Sequence, residues 1–264
     1  MAYVEYPIST ELQPFVKVIW SMESEPDETP DFSMRILPDS CVEMVVHYRQ
    51  PLITTHADGN RQLQPHSFVV AQMKNFIELA PSGRYGFMSI RFSAFGAYHF
   101  FQQPMKEIVN HVVDLNHVWK TIAGDMIDKV AIARTGFERS SIIQDYLRLQ
   151  LSRNSGYDKV VDYSLRELYS SGGKIGMGQL ASKTGLSNRQ LVRRFDQKVG
   201  MSPKEFSNIL RFINATRLLR ESNKSIYDVA YLSGYYDHAH FFHDFKRFSG
   251  LNPGQFQNRP NVFL

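Results

Sequence analysis

Gly200-Met201-Ser202-Pro203-Lys204-Glu205-Phe206 returns fifty residues later as Gly250-Leu251-Asn252-Pro253-Gly254-Gln255-Phe256, with Gly, Pro and Phe in register. Upstream, Leu180-Ala181-Ser182-Lys183-Thr184-Gly185 aligns with Val229-Ala230-Tyr231-Leu232-Ser233-Gly234 at offset 49. Leu191 and Phe195 then align with Phe241 and Phe245 at offset 50, so one residue is inserted just after the second glycine. Two copies of one helical unit are the simplest reading.

Each copy has the physics of a helix-turn-helix. A short helix turns a small residue, Ala181 or Ala230, toward its partner. A glycine, Gly185 or Gly234, closes that helix where the backbone needs a positive φ. A second helix opens two or three residues later. Ser187 with Gln190 three residues on spells a capping box, and Asp237 is the corresponding cap in the second copy. Ser202-Pro203-Lys204-Glu205 starts a further helix with Ser at the cap, Pro at the first position and Glu at the third, and Asn252-Pro253-Gly254-Gln255 repeats that logic. The expected bounds are 177–197 for the first unit, 203–221 for a joining helix and 226–248 for the second unit. Phe206, Leu210, Ile213 and Leu218 form one apolar stripe on the joining helix. Its 19 residues reach about 28 Å at ~1.5 Å each. With a helix diameter at each end, that spacing suits two recognition helices about 34 Å apart, one turn of DNA.

This combination resembles the DNA-binding domain of the AraC/XylS-type transcription regulators. In the first copy the resemblance rests on Leu180, Ala181, Gly185, Leu186, Ser187, Leu191, Arg194 and Phe195. Between the copies it rests on Gly200, Ser202, Pro203, Arg211, Ala215, Leu218 and Leu219. In the second it rests on Ile226, Ala230, Gly234, Asp237, Phe241, Phe245, Lys246, Gly250 and Pro253. Tyr235 and Tyr236 depart from the pattern, standing where the family usually has Phe and a small residue, and His243 stands where a long basic side chain is common.

Helical geometry selects the face that meets DNA. With Leu191 and Phe195 inward, the opposite side of the first recognition helix holds Arg189, Arg193 and Gln197, with Gln190 at its edge and Asn188 at its tip. Arg189 and Arg193 suit bidentate contact to guanine, and Gln190 suits adenine. The equivalents in the second copy are Ala239, His240 and His243, followed by Lys246 and Arg247. Ala239 suits a thymine methyl, His240 and His243 a base edge or a phosphate, and Lys246 and Arg247 a phosphate. The first copy therefore holds the stronger donors. An ordinary solvated helix face is the bland alternative for all ten. His238, His240 and His243 fall at i, i+2 and i+5, too spread for a shared metal, and no metal site is expected.

The chain's charge is divided. Residues 1–154 carry 14 Lys and Arg against 17 Asp and Glu, whereas residues 155–264 carry 16 against 9. A basic C-terminal half on a mildly acidic N-terminal half suits a polyanion partner for the former. Residues 1–92 read mostly as short strands, at 15–22, 32–37, 42–48, 68–70 and 86–92, separated by Pro, Gly, Asn and Asp. Apolar residues then recur at helical spacing over 118–130 and 137–151, a pair that either forms a dimer seam or packs on the sheet. The polar stretch 152–156 marks a boundary between units 1–154 and 155–264.

Residues 35–43 followed by 89–92 are similar to a sensor-like domain that recurs before this DNA-binding module; regulators of this kind commonly carry an N-terminal β-barrel that binds an effector or dimerises. Trp20, Phe32, Tyr48, Phe87 and Phe92 either line a pocket or fill the core. Arg35 and Arg91 are expected to pair with Asp39 or Glu43 rather than hold an anion. His47, His56 and His66 are too dispersed for a cupin-type metal. The lone Cys41 is read as a small buried hydrophobe, and a single cysteine excludes a disulfide framework. No apolar run approaches the ~20 residues of a membrane span, and no basic, apolar leader opens the chain.

The expected fold class is therefore α+β: an N-terminal antiparallel barrel or sandwich with helices, then an all-α domain of two helix-turn-helix units. The expected function is a cytoplasmic, sequence-specific DNA-binding regulator, activator or repressor, with no cofactor and no covalent chemistry. Candidate partners beside double-stranded DNA are a small-molecule effector, RNA polymerase and a second copy of the chain, but no membrane. The competing reading is a small-molecule enzyme of the N-terminal barrel with a regulatory helical appendage.

Overall fold

The computed structural model describes residues 2–25, 31–153, 156–259 and 261–263. Its strands are β1 (Ala2–Tyr6), β2 (Val16–Glu23), β3 (Met34–Ile36), β4 (Val42–His47), β5 (Leu52–His56), β6 (Arg61–Leu63), β7 (Ser67–Val70), β8 (Ile77–Pro81), β9 (Gly86–Phe92), β10 (Val112–Asp114) and β11 (Val262–Phe263). Its α-helices are α1 (Leu115–Trp119), α2 (Thr121–Ile132), α3 (Gly136–Arg153), α4 (Lys159–Ser170), α5 (Met177–Thr184), α6 (Asn188–Lys198), α7 (Pro203–Glu221), α8 (Ile226–Leu232), α9 (His238–Ser249) and α10 (Pro253–Gln257).

One six-stranded sheet runs β1-β2-β9-β4-β7-β10, and a five-stranded sheet runs β11-β3-β8-β5-β6. Among the described residues they face each other as a sandwich and do not close into a barrel. The larger sheet is covered on both faces, which is why its central strands are almost wholly buried. On β4, Met44 and Val46 face the helices while Glu43, Val45 and His47 face the smaller sheet. On β9, Met88, Ile90 and Phe92 face the helices while Phe87, Ser89 and Arg91 face inward.

α2 and α3 cover the outer face through Met126, Val130, Ile143 and Leu147. The single helix expected over 118–130 is two helices. Asp114 caps α1 by accepting from the Asn116 backbone N–H at 2.8 Å, and Lys120 breaks the run at φ 56 and ψ −138. Val118 and Ala123 both face the same core, so the apolar period runs straight through the break. The strand expected over 32–37 shrinks to β3, because Phe32 leaves the ladder and meets Tyr85 edge-on at 5.4 Å.

The C-terminal helices share one core. Phe212 of α7 lies between Phe245 and Phe248 of α9, with ring centroids 5.2 and 5.0 Å away. That core also takes in Leu37 and Ala94 from the N-terminal half. The chain's end crosses in the opposite direction: β11 pairs parallel with β3, with the Arg35 N–H donating to Asn261 O and the Leu37 N–H to Phe263 O. Of the stretch 152–156, residues 154 and 155 lie outside the described residues. No helix among the described residues is long and apolar enough to cross a membrane.

Candidate nucleic-acid interface

The two copies are built from the same local devices. After α5, Gly185 adopts φ 68 and the Leu186 N–H returns to Ala181 O at 3.2 Å. After α8, Gly234 adopts φ 87 and the Tyr235 N–H returns to Ala230 O at 3.0 Å. Both turns require left-handed backbone, which glycine reaches without a Cβ clash. Ser187 caps α6 in a full capping box with Gln190, and Asp237 caps α9 by accepting from the Ala239 N–H at 2.9 Å. Ser202 with Glu205 and Asn252 with Gln255 form the two further boxes, with Pro203 and Pro253 at the helix starts.

These caps aim the recognition helices. Leu191 and Phe195 are buried, which turns Asn188, Arg189, Gln190, Arg193 and Gln197 of α6 to solvent. Phe241, Phe245 and Phe248 are buried, which turns Ala239, His240, His243, Lys246 and Arg247 of α9 to solvent. Arg189 and Arg193 form no ion pair among the described residues, so their guanidiniums are available to a base edge. Arg194, one position round the helix, is held by Asp158 at 2.8 Å, tying α6 to the start of α4.

Four candidate side chains already have a side-chain or backbone neighbour. Gln190 Oε1 accepts from the Ser187 N–H and hydroxyl, each at 2.9 Å, so a bidentate contact to adenine breaks the capping box. Arg247 lies 3.2 Å from buried Asp244 and over the Phe248 ring at 4.3 Å. Asp244 also has His240 Nε2 at 3.6 Å and His243 Nδ1 at 3.9 Å. Sequence reasoning missed Asp244. Its signal is a carboxylate on the buried stripe of α9, between Phe241 and Phe248.

The N-terminal half approaches the opposite ends of both recognition helices. A β-carbon on Gly200, just past α6, would lie 2.2 Å from Val109 Cγ2 and 2.8 Å from Met105 O. One on Gly250, just past α9, would lie 2.4 Å from the Phe76 ring and 2.9 Å from Arg35 Nη1. Arg35 donates to Ser249 O at 2.9 Å, and Lys74 pairs with Glu205 at 2.8 Å. The exposed residues at the N-terminal ends of α6 and α9 are untouched by these contacts. Arg35 pairs with Glu78 at 2.6 Å instead of the expected Asp39 or Glu43, because β3 runs beside β8. Arg91 does pair with Asp39 at 3.2 Å and approaches Glu43 at 3.9 Å.

Between the two sheets lies a cavity of about 660 Å³. Trp20 and Phe87 line it. Phe92 is buried on the helix side instead, Phe32 packs against Tyr85, and Tyr48 lies under the Arg139 guanidinium at 3.9 Å. Phe76 and Phe263 also contribute to its wall, so the cavity shares residues with the contacts to Gly250 and with β11. Half-buried Cys41 lies outside it, and burial pushes its thiol pKa up.

A family model described as a helix-turn-helix domain matches residues 180–259, and one described as a domain of unknown function (DUF6597) matches residues 4–114. The HTH-type transcriptional activator RhaS of Citrobacter koseri is 43% identical over 85 residues, covering 32% of this chain and 31% of that protein. An uncharacterized HTH-type transcriptional regulator of Haemophilus influenzae is 37% identical over 79 residues, covering 30% and 26%. The chain thus spans about a third of the length of the curated relatives it matches. Apo ToxT from Vibrio cholerae aligns over 91% of this chain and 96% of its own at 11% identity and a TM-score of 0.44. The helix-turn-helix model thus matches residues 180–259, where the duplicated, capped helical unit resembles the DNA-binding domain of AraC/XylS-type regulators, behind an N-terminal β domain.

Proposed function

We propose that this chain is a sequence-specific regulator of transcription that binds double-stranded DNA through both helix-turn-helix units and responds to a small molecule through its N-terminal domain. Its functional units are 1–154 and 155–264, with residues 261–263 reaching back into the first. The supporting observation is the simultaneous exposure of Arg189 and Arg193 on α6 and of His243 and Lys246 on α9. Basic side chains displace counterions from phosphates, and the tip residues of each helix discriminate bases. Nothing in that work requires a covalent step or a cofactor. The N-terminal domain acts by favouring one arrangement of the two readers over another, since an effector shifts an equilibrium only by its differential affinity for the two states. Phe76, shared between the cavity wall and the contact at Gly250, supplies a route for that bias.

Selection of duplexes from a random pool by the purified chain tests the reading. The expected motif has two elements about one helical turn apart. Salt-dependent binding with no sequence preference overturns it.

A further inference from the structure

The wall of the cavity between the sheets includes a buried histidine nitrogen with no hydrogen-bond partner among the described residues. His47, at the end of β4, is 3% exposed, and its ring sits beside Phe68 and Phe87. Its Nε2 lies 3.0 Å from Gln64 Oε1, while Gln64 Nε2 donates to Thr54 Oγ1 at 3.0 Å. The Gln64 amide thus presents oxygen to His47, so Nε2 carries the proton and donates. Nδ1 is left as a bare acceptor with no partner among the described residues. Burial also depresses the ring's pKa to about 4, which keeps it neutral. A buried acceptor without a partner is destabilising, a penalty that a ligand donor removes.

The rest of the wall fixes the chemistry of that ligand. Trp20, Phe68, Phe76, Phe87, Met34 and Leu79 make it mostly apolar and rich in ring faces and edges. Arg91 of the wall pairs with Asp39 and approaches Glu43, whose carboxylate also accepts from Ser89 Oγ, while Asp58 accepts from Asn60. Among the described residues of the wall the one Lys or Arg is Arg91, and it is already paired. The volume falls in the range that encloses a drug-sized molecule.

We propose that this cavity is a binding site for an uncharged aromatic small molecule whose hydroxyl or ring N–H donates to His47 Nδ1. The proposal rests on the effector-responsive reading of the N-terminal domain and names the class of effector. Ring edges of Trp20 and Phe87 pack against the ligand's faces, and the single polar point sets its orientation.

Calorimetry on the full DNA-free chain with four probes tests it: 2-naphthol, 2-methylnaphthalene, 2-methoxynaphthalene and 2-naphthoate. 2-Naphthol binds tightest, by roughly 2- to 10-fold over the methyl and methoxy analogues, the net value of one hydrogen bond. His47→Phe levels the three neutral probes. Should that variant fail to fold, the Nδ1 resonance of His47 in the ¹⁵N spectrum of the unaltered chain decides, and it shifts on 2-naphthol binding but not with the methyl analogue. Equal affinities for the neutral probes, a preference for 2-naphthoate, an unmoved resonance or no binding at all overturns the proposal. Duplex selection is run separately. A selected motif without probe binding sinks this inference alone, and probe binding that leaves duplex affinity unchanged keeps the site and removes the effector role.

Discussion

Gly200 and Gly250 occupy equivalent points of the internal repeat, each just past a recognition helix, and each is pressed against the N-terminal half of the chain. At Gly200 (φ +89) the obstruction includes the Met105 backbone oxygen, whereas at Gly250 (φ +72) it is the Phe76 ring and the Arg35 tip. The duplication therefore supplies two matched seats on which the N-terminal half grips both helix-turn-helix units. Gly172 (φ +60) has the same backbone demand but open space around it. Gly172→Ala is expected to cost about 1–2 kcal/mol, the left-handed penalty alone. Gly250→Ala adds overpacking against side chains that can move, and Gly200→Ala adds overpacking against backbone, typically about 1–3 kcal/mol more. Denaturant unfolding should rank the losses Gly200 > Gly250 > Gly172; three equal losses would show that the seats are not tight.

The two readers differ in what they offer DNA. Arg193 is exposed and has no ion-pair partner among the described residues, while His243 stands 3.9 Å from the Asp244 carboxylate it shares with Arg247. Arg193→Ala is expected to weaken binding to a selected duplex by about 1–3 kcal/mol, or roughly 5- to 150-fold, and to relax preference at one base pair. His243→Ala should lose less. Lys246→Ala should weaken all duplexes alike and lower the slope of log affinity against log salt by about 1. A larger loss for His243→Ala than for Arg193→Ala would assign base reading to the second copy instead.

What the sequence discloses follows how locally each feature is encoded. Caps at Ser187, Ser202, Asp237 and Asn252 act within three residues, and Gly185 and Gly234 act through their own φ, so the helical half is legible almost to the residue. The sheet half is legible where apolar and aromatic residues recur at strand spacing, as in β2, β4, β7 and β9. β6 is exposed throughout and β8 ends in Ala80 and Pro81, so neither carries a strand pattern, and β11 is two residues long. The order of strands is a matter of long-range pairing. That is why Arg35 finds Glu78 across β3 and β8 rather than a carboxylate nearby in sequence. The cavity hides for the same reason: Glu43, His47 and Ser89 read as outward polar residues of half-buried strands until a second sheet covers them.

The buried histidines make stability fall in acid. Burial lowers the pKa of both His47 and His99 from 6.5 to about 4. Between those values the unfolded chain binds protons that the folded chain does not, so stability rises with pH across that window and is lost as pH falls from about 6.5 to 4. Each group contributes a slope of up to about 1.4 kcal/mol per pH unit. Unfolding free energies measured between pH 7 and pH 4 should show this decline, and His47→Phe should flatten it by up to one proton. An unchanged slope in that variant would mean that His47 is protonated in the folded chain.

Arg35 joins the two halves through both its side chain and its backbone. Its guanidinium donates to Glu78 at 2.6 and 3.1 Å and to Ser249 O at 2.9 Å, and lies over Phe76 at 4.3 Å, while its backbone pairs with the strand at the chain's end. Arg35→Gln strands a partly buried carboxylate and uncovers the end of α9, so about 1–3 kcal/mol of stability should be lost. Arg217→Ala, which removes an exposed pair with Glu221, should cost only a few tenths. Deleting residues 261–264 takes away one of the two strands paired with β3 without touching the guanidinium. Because both changes act on the same strand, their combined effect should depart from additivity by more than about 0.5 kcal/mol. Strict additivity in a double-mutant cycle would show that the strand and the guanidinium hold the second reader independently.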